Sequence, residues 1–340
     1  EIYTRSTSAA SDVYKRQLVF ATIEGNTYGW WPQRAHFSIG GWKWPADMPS
    51  IIPFVYAVSA IAITASVIVE LRRTAAGKPV VLDLSLYRIG SFRNGNFAAM
   101  IVSLGELGLV FVLPLYLQTV LKYSAFDTGV LLLALSGGAF AAGGMAARLS
   151  MTRGPRFVVI LGFALEVIGI VTLGMIAGTH TSGWSMSPSL FVYGMGVGFA
   201  TAQLTSIILS DVPVQRSGQA SGMQSTIRQI GAAMGIALLG SIFVLLLTHQ
   251  AERQLRSADG VSAVNATIVV KSMEHTGGAI TRIEDIPTAS ARRNATRAVN
   301  KAFVDAARWT AFAAAGFVLL GLLAALRIPM HRTPSEDRAG

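Results

Sequence analysis

The chain carries repeated apolar stretches of roughly twenty residues, each long enough as a helix to cross about 30 Å of hydrocarbon. Water is absent at that depth, so every backbone N–H and C=O must be bonded within the protein, and long unalternating apolar runs meet that demand only as helices. Charged residues make up 14% of the sequence, against about a quarter in soluble domains, too few to clothe a water-facing surface of this size. The expected fold class is an all-α polytopic membrane protein. An ordinary soluble enzyme is excluded.

The predicted spans are Ile51 to Val69, Phe97 to Val120, Phe126 to Ala147, Phe157 to Ala177, Ser189 to Leu209, Ile227 to Leu247 and Trp309 to Leu326. Before them, residues 18–25 (LVFATIEG) read as the end of a helix, and the loop that follows holds Tyr28, Trp30, Trp31, Phe37, Trp42 and Trp44, aromatics suited to the headgroup zone. Residues 1–17 are polar, lack an initiating Met and stop abruptly at Leu18. They read as an artefactual, adapter-derived segment.

The formal charge of +10 would suggest nucleic acid in a soluble protein, but here the basic residues sit mostly between apolar runs. Arg72, Arg73, Lys78, Arg88 and Arg93 occupy one connection, Arg148, Arg153 and Arg156 another, Arg216 a third, and Arg327, Arg332 and Arg338 the tail. Intervening connections are poorer in Lys and Arg, so the basic ones are expected on the cytoplasmic side together with the 327–340 tail. Residues 249–305 are expected as a long outer loop, with a helical feed into the last span from about Ala291. Cysteine is absent and no histidines pair at metal-ligand spacing, so neither a disulfide, a metal site nor a cofactor is expected.

Three stretches carry a family resemblance. Leu82 to Leu133 (LDLSLYRIGSFRNGNFAAMIVSLGELGLVFVLPLYLQTVLKYSAFDTGVLLL), Gly143 to Gly162 (GGMAARLSMTRGPRFVVILG) and Val192 to Phe243 (VYGMGVGFATAQLTSIILSDVPVQRSGQASGMQSTIRQIGAAMGIALLGSIF) together resemble the major facilitator superfamily, within it the fourteen-helix drug:proton antiporter group. The resemblance implies that residues 18–70 hold the two central extra helices and their outer loop, 71–96 a cytoplasmic linker, and 97–326 the C-terminal six-helix bundle. It also implies a missing N-terminal six-helix bundle as partner, with small amphipathic or cationic substrates, protons and membrane lipid as the other partners. The loop motif departs from the family pattern, which has an Asp-Arg pair where Met151 and Thr152 stand. Its remaining members, Arg148, Arg153, Gly154 and Arg156, are the conformational-loop candidates.

Some residues stand out on their own chemistry. Glu106 and Glu166 lie mid-span, where a carboxylate is protonated, paired or turned to a water-filled cavity, and an acid of that kind can load and release a proton. Glu166 sits on a helix that the resemblance makes a support of the bundle, so a structural role stands beside the proton-coupling one. Ser103 falls within about 60° of Glu106 on its helix, and Gln118 about 120° away. Gln203, Ser206 and Ser210 share a helix face with Gly196, as cavity-lining groups or as interhelical hydrogen-bond partners. Gln224, Arg228, Gly231 and Gly235 share another. Its glycines allow close helix packing, and Arg228 either snorkels to headgroups or acts as a counter-charge or gate residue.

The expected function is export of small molecules by a proton-coupled secondary transporter of the cell membrane. Transport of one specific metabolite and a non-transporting membrane subunit are the alternatives. A membrane-embedded enzyme finds little support, because no nucleophile or histidine accompanies the two acids at one depth.

Overall fold

The structure, a computed structural model, describes residues 28–76, 80, 83–275 and 283–326, with single positions at 17, 20, 21, 24 and 25. The readings of residues 1–16, most of 18–25 and the 327–340 tail lie outside the described residues. The chain divides into two compact units, 1–85 and 86–340.

In the first unit, strands β1 (Ser38–Ile39) and β2 (Trp42–Lys43) pair antiparallel, with Ser38 opposite Lys43 and Ile39 opposite Trp42. The two linking residues, Gly40 and Gly41, have φ of 55° and 86°, the left-handed pair that a tight two-residue hairpin requires and that glycine adopts freely. This hairpin lies in the aromatic loop, where the sequence reading expected no strand. Beside it Trp44 donates its indole N–H to Pro49 O at 2.9 Å and packs on Phe54 with ring centres 5.1 Å apart. Helix α1 (Ile51–Ala75) follows, with the Ser50 hydroxyl accepting the Ile52 N–H at its start.

The second unit is a bundle of α2 (Gly90–Thr119), α3 (Ala125–Arg153), α4 (Pro155–Ile176), α5 (Ser187–Leu209), α6 (Ser217–Arg256), a short α7 (Ala263–His275) and α8 (Ala289–Ala325). Turn chemistry sets the boundaries. Ser124 and Asp127 form a reciprocal capping box at the start of α3. Between α3 and α4 a single residue, Gly154, turns the chain at φ 81°, and Pro155 opens α4 at the position where its missing N–H costs nothing.

Helix α5 packs between α3 and α4, and α2 packs between α6 and α8; α4 meets α8, and α2 meets α5. Exchanging α2, α3, α4 with α5, α6, α8 leaves these pairings unchanged. The bundle is thus two three-helix repeats, the internal plan seen in many secondary transporters. Among the described residues, seven helices (α1 to α6 and α8) are long and apolar enough to span a membrane. The protein is an all-α polytopic membrane protein.

Residues 249–305 differ from the expected outer loop. Helix α6 runs unbroken to Arg256, α7 occupies 263–275, and α8 begins at Ala289. At 1.5 Å per residue the 40 residues of α6 reach about 60 Å, roughly twice the hydrocarbon thickness. The reason is a buried stripe that persists after the surface turns polar. Leu239, Phe243, Leu247, Ala251 and Leu255 are buried at every fourth position of α6, and Ala291, Ala295, Val299, Ala302 and Phe303 continue the same core on α8. Helix α7 adds Ala266, Val269, Val270 and Met273 from one face. The polar starts of α2 and α6 are likewise helical, holding buried Phe92 and Asn96 in one and Ala220 and Met223 in the other.

Candidate functional site

Four helices bring polar side chains to one small, partly open cavity of about 10 Å³, roughly the space of a single water molecule. Ser103 and Glu106 come from α2, Glu166 from α4, Thr201 and Thr205 from α5, and Gln224 and Arg228 from α6. Ala99, Val102, Phe163, Ala200 and Leu204 complete the wall, so the charges sit in apolar surroundings.

Close backbone approach builds this site. A Cβ on Gly196 of α5 would stand 2.5 Å from the Glu166 N and 2.7 Å from its Cγ, so only glycine lets α4 come near enough for Glu166 to reach the cavity. On the other side, a Cβ at Gly231 or Gly235 of α6 would collide with the Met100 or Leu104 carbonyl of α2. That contact sets Arg228 against Ser103 of α2 about one turn before Gly231. Tyr193, fully buried on α5, donates its hydroxyl to the Glu106 main-chain carbonyl at 3.4 Å and ties α5 to α2 at the depth of the acid.

Within the cavity, Gln224 Nε2 donates to Thr205 Oγ1 at 2.8 Å, and Arg228 Nε donates to Ser103 Oγ at a long 3.4 Å. Glu166 is 1% exposed and its Oε2 is buried with no hydrogen-bond partner. Glu106 and Arg228 are half-buried. The cavity therefore holds two carboxyl groups and one guanidinium in a space too small for an organic substrate. Groups so placed can take up and release a proton, and they can couple one helix to another through it.

Of the residues singled out from sequence, Ser103, Glu106, Glu166, Gln224 and Arg228 converge here. Arg228 turns to the cavity rather than outward along its stem. Gln118 is exposed at the end of α2, Ser206 and Ser210 are exposed on α5, and Gln203 is half-buried away from the cavity. Gly196 shares no open polar wall with them, because its side of α5 is covered by α4. Thr201 and Thr205 went unnoticed in the sequence. Their signal is the spacing from Ala200 and Leu204, which puts two hydroxyls at the edge of a buried stripe.

The conformational-loop candidates lie elsewhere. Arg148 and Arg153 are exposed, with the Arg153 guanidinium 5.6 Å from the centre of the Phe157 ring, while Arg156 donates to the Leu326 carbonyl at the end of α8. The opposite end of the α4·α8 pair has a matching bond. There Arg308 of α8 donates Nε to Gly174 O at 3.1 Å and Nη2 to Ala177 O at 2.8 Å, closing the end of α4. Each of these antiparallel helices thus has its last carbonyls capped by an arginine from the other. Next to Arg308 lies a second, mainly apolar cavity of about 30 Å³, bounded by Leu109, Leu113, Leu173, Met186 and Tyr116 among others.

The sequence profile of the Major Facilitator Superfamily matches residues 35–236, more than half of the chain. The protein belongs to the Major Facilitator Superfamily. It is 26% identical over 271 residues to the multidrug resistance protein Stp of Mycobacterium tuberculosis, covering 78% of this chain and 46% of that protein. It is 29% identical over 242 residues to a probable actinorhodin transporter of Streptomyces coelicolor, covering 69% and 38% of the two chains. With the multidrug efflux pump LfrA of Mycolicibacterium smegmatis it shares 25% identity over 235 residues, covering 69% and 45%. The matched segments span less than half the length of these relatives. The superfamily chain is thus a multi-pass membrane protein whose relatives are transporters of small molecules.

Proposed function

We propose that this bundle is the C-terminal half of a proton-coupled exporter of small amphipathic or cationic compounds in the cell membrane. The observation that carries the reading is the convergence of Glu106, Glu166 and Arg228 on one small cavity between the two three-helix repeats. A protonatable acid there changes the charge of the helix contacts when it loads or unloads, and that charge change biases the two states of an alternating-access cycle. Two relatives named as a multidrug resistance protein and a multidrug efflux pump support a broad small-molecule substrate range. Their greater length supports a first six-helix bundle as the surface against which this one rocks, in contact with lipid on its outer side.

In this reading substrate binds between the two bundles and the proton on the acids of this one. The basic residues of the α3–α4 connection and of the C-terminal sequence support a cytoplasmic side for both. The transporter names of the relatives support transport without chemical conversion.

The test is efflux of ethidium from proteoliposomes holding the complete transporter, driven by an imposed pH gradient. Glu106→Gln is expected to lower gradient-driven efflux by about tenfold or more, which corresponds to a coupling loss of ~1.4 kcal/mol, while leaving downhill exchange in place. Full gradient-driven efflux in the variant refutes the assignment. The likeness to an actinorhodin transporter favours a second reading, transport of one specific metabolite, which predicts a single saturating competitor in the same assay.

A further inference from the structure

We infer that the β1–β2 hairpin is a lipid-binding foot beside the start of α1: its Trp42 face lies in the headgroup zone of the bilayer, and Lys43 on the opposite face meets lipid phosphate. The inference needs only that α1 spans a membrane, and it stands apart from the transport function proposed above.

Strand geometry divides the hairpin into two faces. Successive side chains of a strand point to opposite sides, and residues directly across an antiparallel pair point to the same side. Lys43 therefore shares one face with Ser38, and Trp42 takes the other. The pairing runs one rung further, the Trp44 N–H donating to Phe37 O at 2.9 Å, so Trp44 returns to the Trp42 side. Its ring meets that of Trp42 edge to face, with centres 5.7 Å apart. One face is thus indole, and the other carries a hydroxyl and an ammonium group.

The indole face continues onto α1. Trp44 packs on Phe54, and Tyr28, Phe37 and Trp44 together cover Ile51 and Ile52. Trp30 stacks on Tyr56 with ring centres 6.4 Å apart and planes 17° from parallel. The loop therefore lies alongside the first two turns of α1 instead of standing off its end. Those turns belong to the apolar window Ile51–Glu70, and at 1.5 Å per residue Phe54 and Tyr56 lie about 5 and 8 Å along it from Ile51. The headgroup zone on each side of the hydrocarbon is of that same depth, about 5–8 Å.

The loop has a set shape. The Ser50 N–H donates to Trp31 O, the Arg34 N–H to Tyr28 O and the Trp44 indole to Pro49 O, each at 2.9 Å. These bonds leave Trp31 69% and Trp42 55% exposed, with Met48 exposed beside them. Rings of that size with one polar edge are poorly matched to water and well matched to the boundary between headgroups and chains. Lys43, exposed on the far face, has the charge that lipid phosphate attracts and a stem long enough to reach it.

Fluorine NMR of the complete transporter in lipid nanodiscs, labelled with fluorotryptophan and assigned by Trp→Phe variants, tests this ring by ring. Phosphatidylcholine spin-labelled near the headgroup end of its chain is expected to broaden the Trp42 and Trp31 signals by about twofold or more, and a water-soluble gadolinium chelate much less. Broadening by the chelate alone places the loop in water and overturns the inference. Broadening by neither probe overturns it too, because the rings are then covered by another part of the transporter or by a second copy. In bilayers rich in phosphatidylglycerol, Lys43→Glu is expected to lower the lipid broadening of Trp42 by about half, while the Trp44 shift, set by Phe54, reports an intact hairpin. Lys43→Gln repeats the test without reversing the charge and is expected to lower it less. Broadening of Trp42 that is the same in both variants as in the wild type overturns the phosphate contact. Proton-coupled efflux with Trp42 in water leaves the proposed function standing without the foot, and uncoupled efflux with Trp42 in lipid does the reverse.

Discussion

Two arginines enter this bundle near opposite ends of its helices, and they are held in contrasting ways. Arg308 spends its donors on the Gly174 and Ala177 carbonyls, with the Asp305 carboxylate 4.0 Å from it. Arg228 makes a single long bond to the Ser103 hydroxyl and stands beside a cavity containing two acids. Main-chain carbonyls cannot change charge, so the two bonds that hold the first arginine brace α8 against α4 whatever the pH. Carboxyl groups can, so the second sits where protonation alters what it balances. The same side chain is a brace in one place and part of a switch in the other, and the partners decide which.

The comparison can be broken from either side. The largest expected effect is that of Gly196→Val, which drives α4 from α5 and carries Glu166 out of the cavity; such overpacking costs about 1–3 kcal/mol or more, visible as a lowered unfolding temperature in detergent together with lost proton coupling. Arg308→Met is next. It leaves the last carbonyls of α4 without their charged donors and is expected to cost about 2 kcal/mol of stability, while proton coupling in the folded fraction is unchanged. Arg228→Gln should do the opposite, abolishing coupling with a smaller fall in unfolding temperature. Smallest is Gln224→Ala, which removes the bond to Thr205 and is expected to cost about 0.6 kcal/mol, the usual worth of a hydrogen bond between membrane helices.

Much of this architecture was legible in the sequence, because a helix that must hide its backbone from lipid announces itself by length and hydropathy. The seven spans followed from that, and the superfamily resemblance from the three motif-bearing stretches. The helical feed into α8 was read from about Ala291, but the extension of α6 and the presence of α7 were not, because a hydropathy window averages the buried Leu247, Ala251 and Leu255 with Glu252, Arg253 and Arg256 beside them, whereas the four-residue period of the buried set carries the signal. The hairpin at Gly40–Gly41 was missed for a similar reason, its strands being only two residues long.

The cavity shows the same division. Glu106, Glu166 and Arg228 stand out as charges in apolar runs, and a charge there always asks for a partner. Which of them meet depends on how closely α2, α4, α5 and α6 approach, and that is set by Gly196, Gly231 and Gly235 acting against particular carbonyls and side chains on neighbouring helices. Helical-wheel angles place residues on a face of one helix. They do not say which helix covers that face, so Gly196 read as part of a polar wall although α4 lies over it.

The most direct test of the account follows protons rather than substrate. With the complete transporter in liposomes loaded with a pH-sensitive dye, addition of ethidium should drive proton movement in the wild type and in Arg308→Met. Under the same conditions Glu106→Gln and Arg228→Gln should exchange ethidium with no proton movement. If proton movement persists in Glu106→Gln, or vanishes in Arg308→Met while ethidium still moves, the cavity is not the site of coupling.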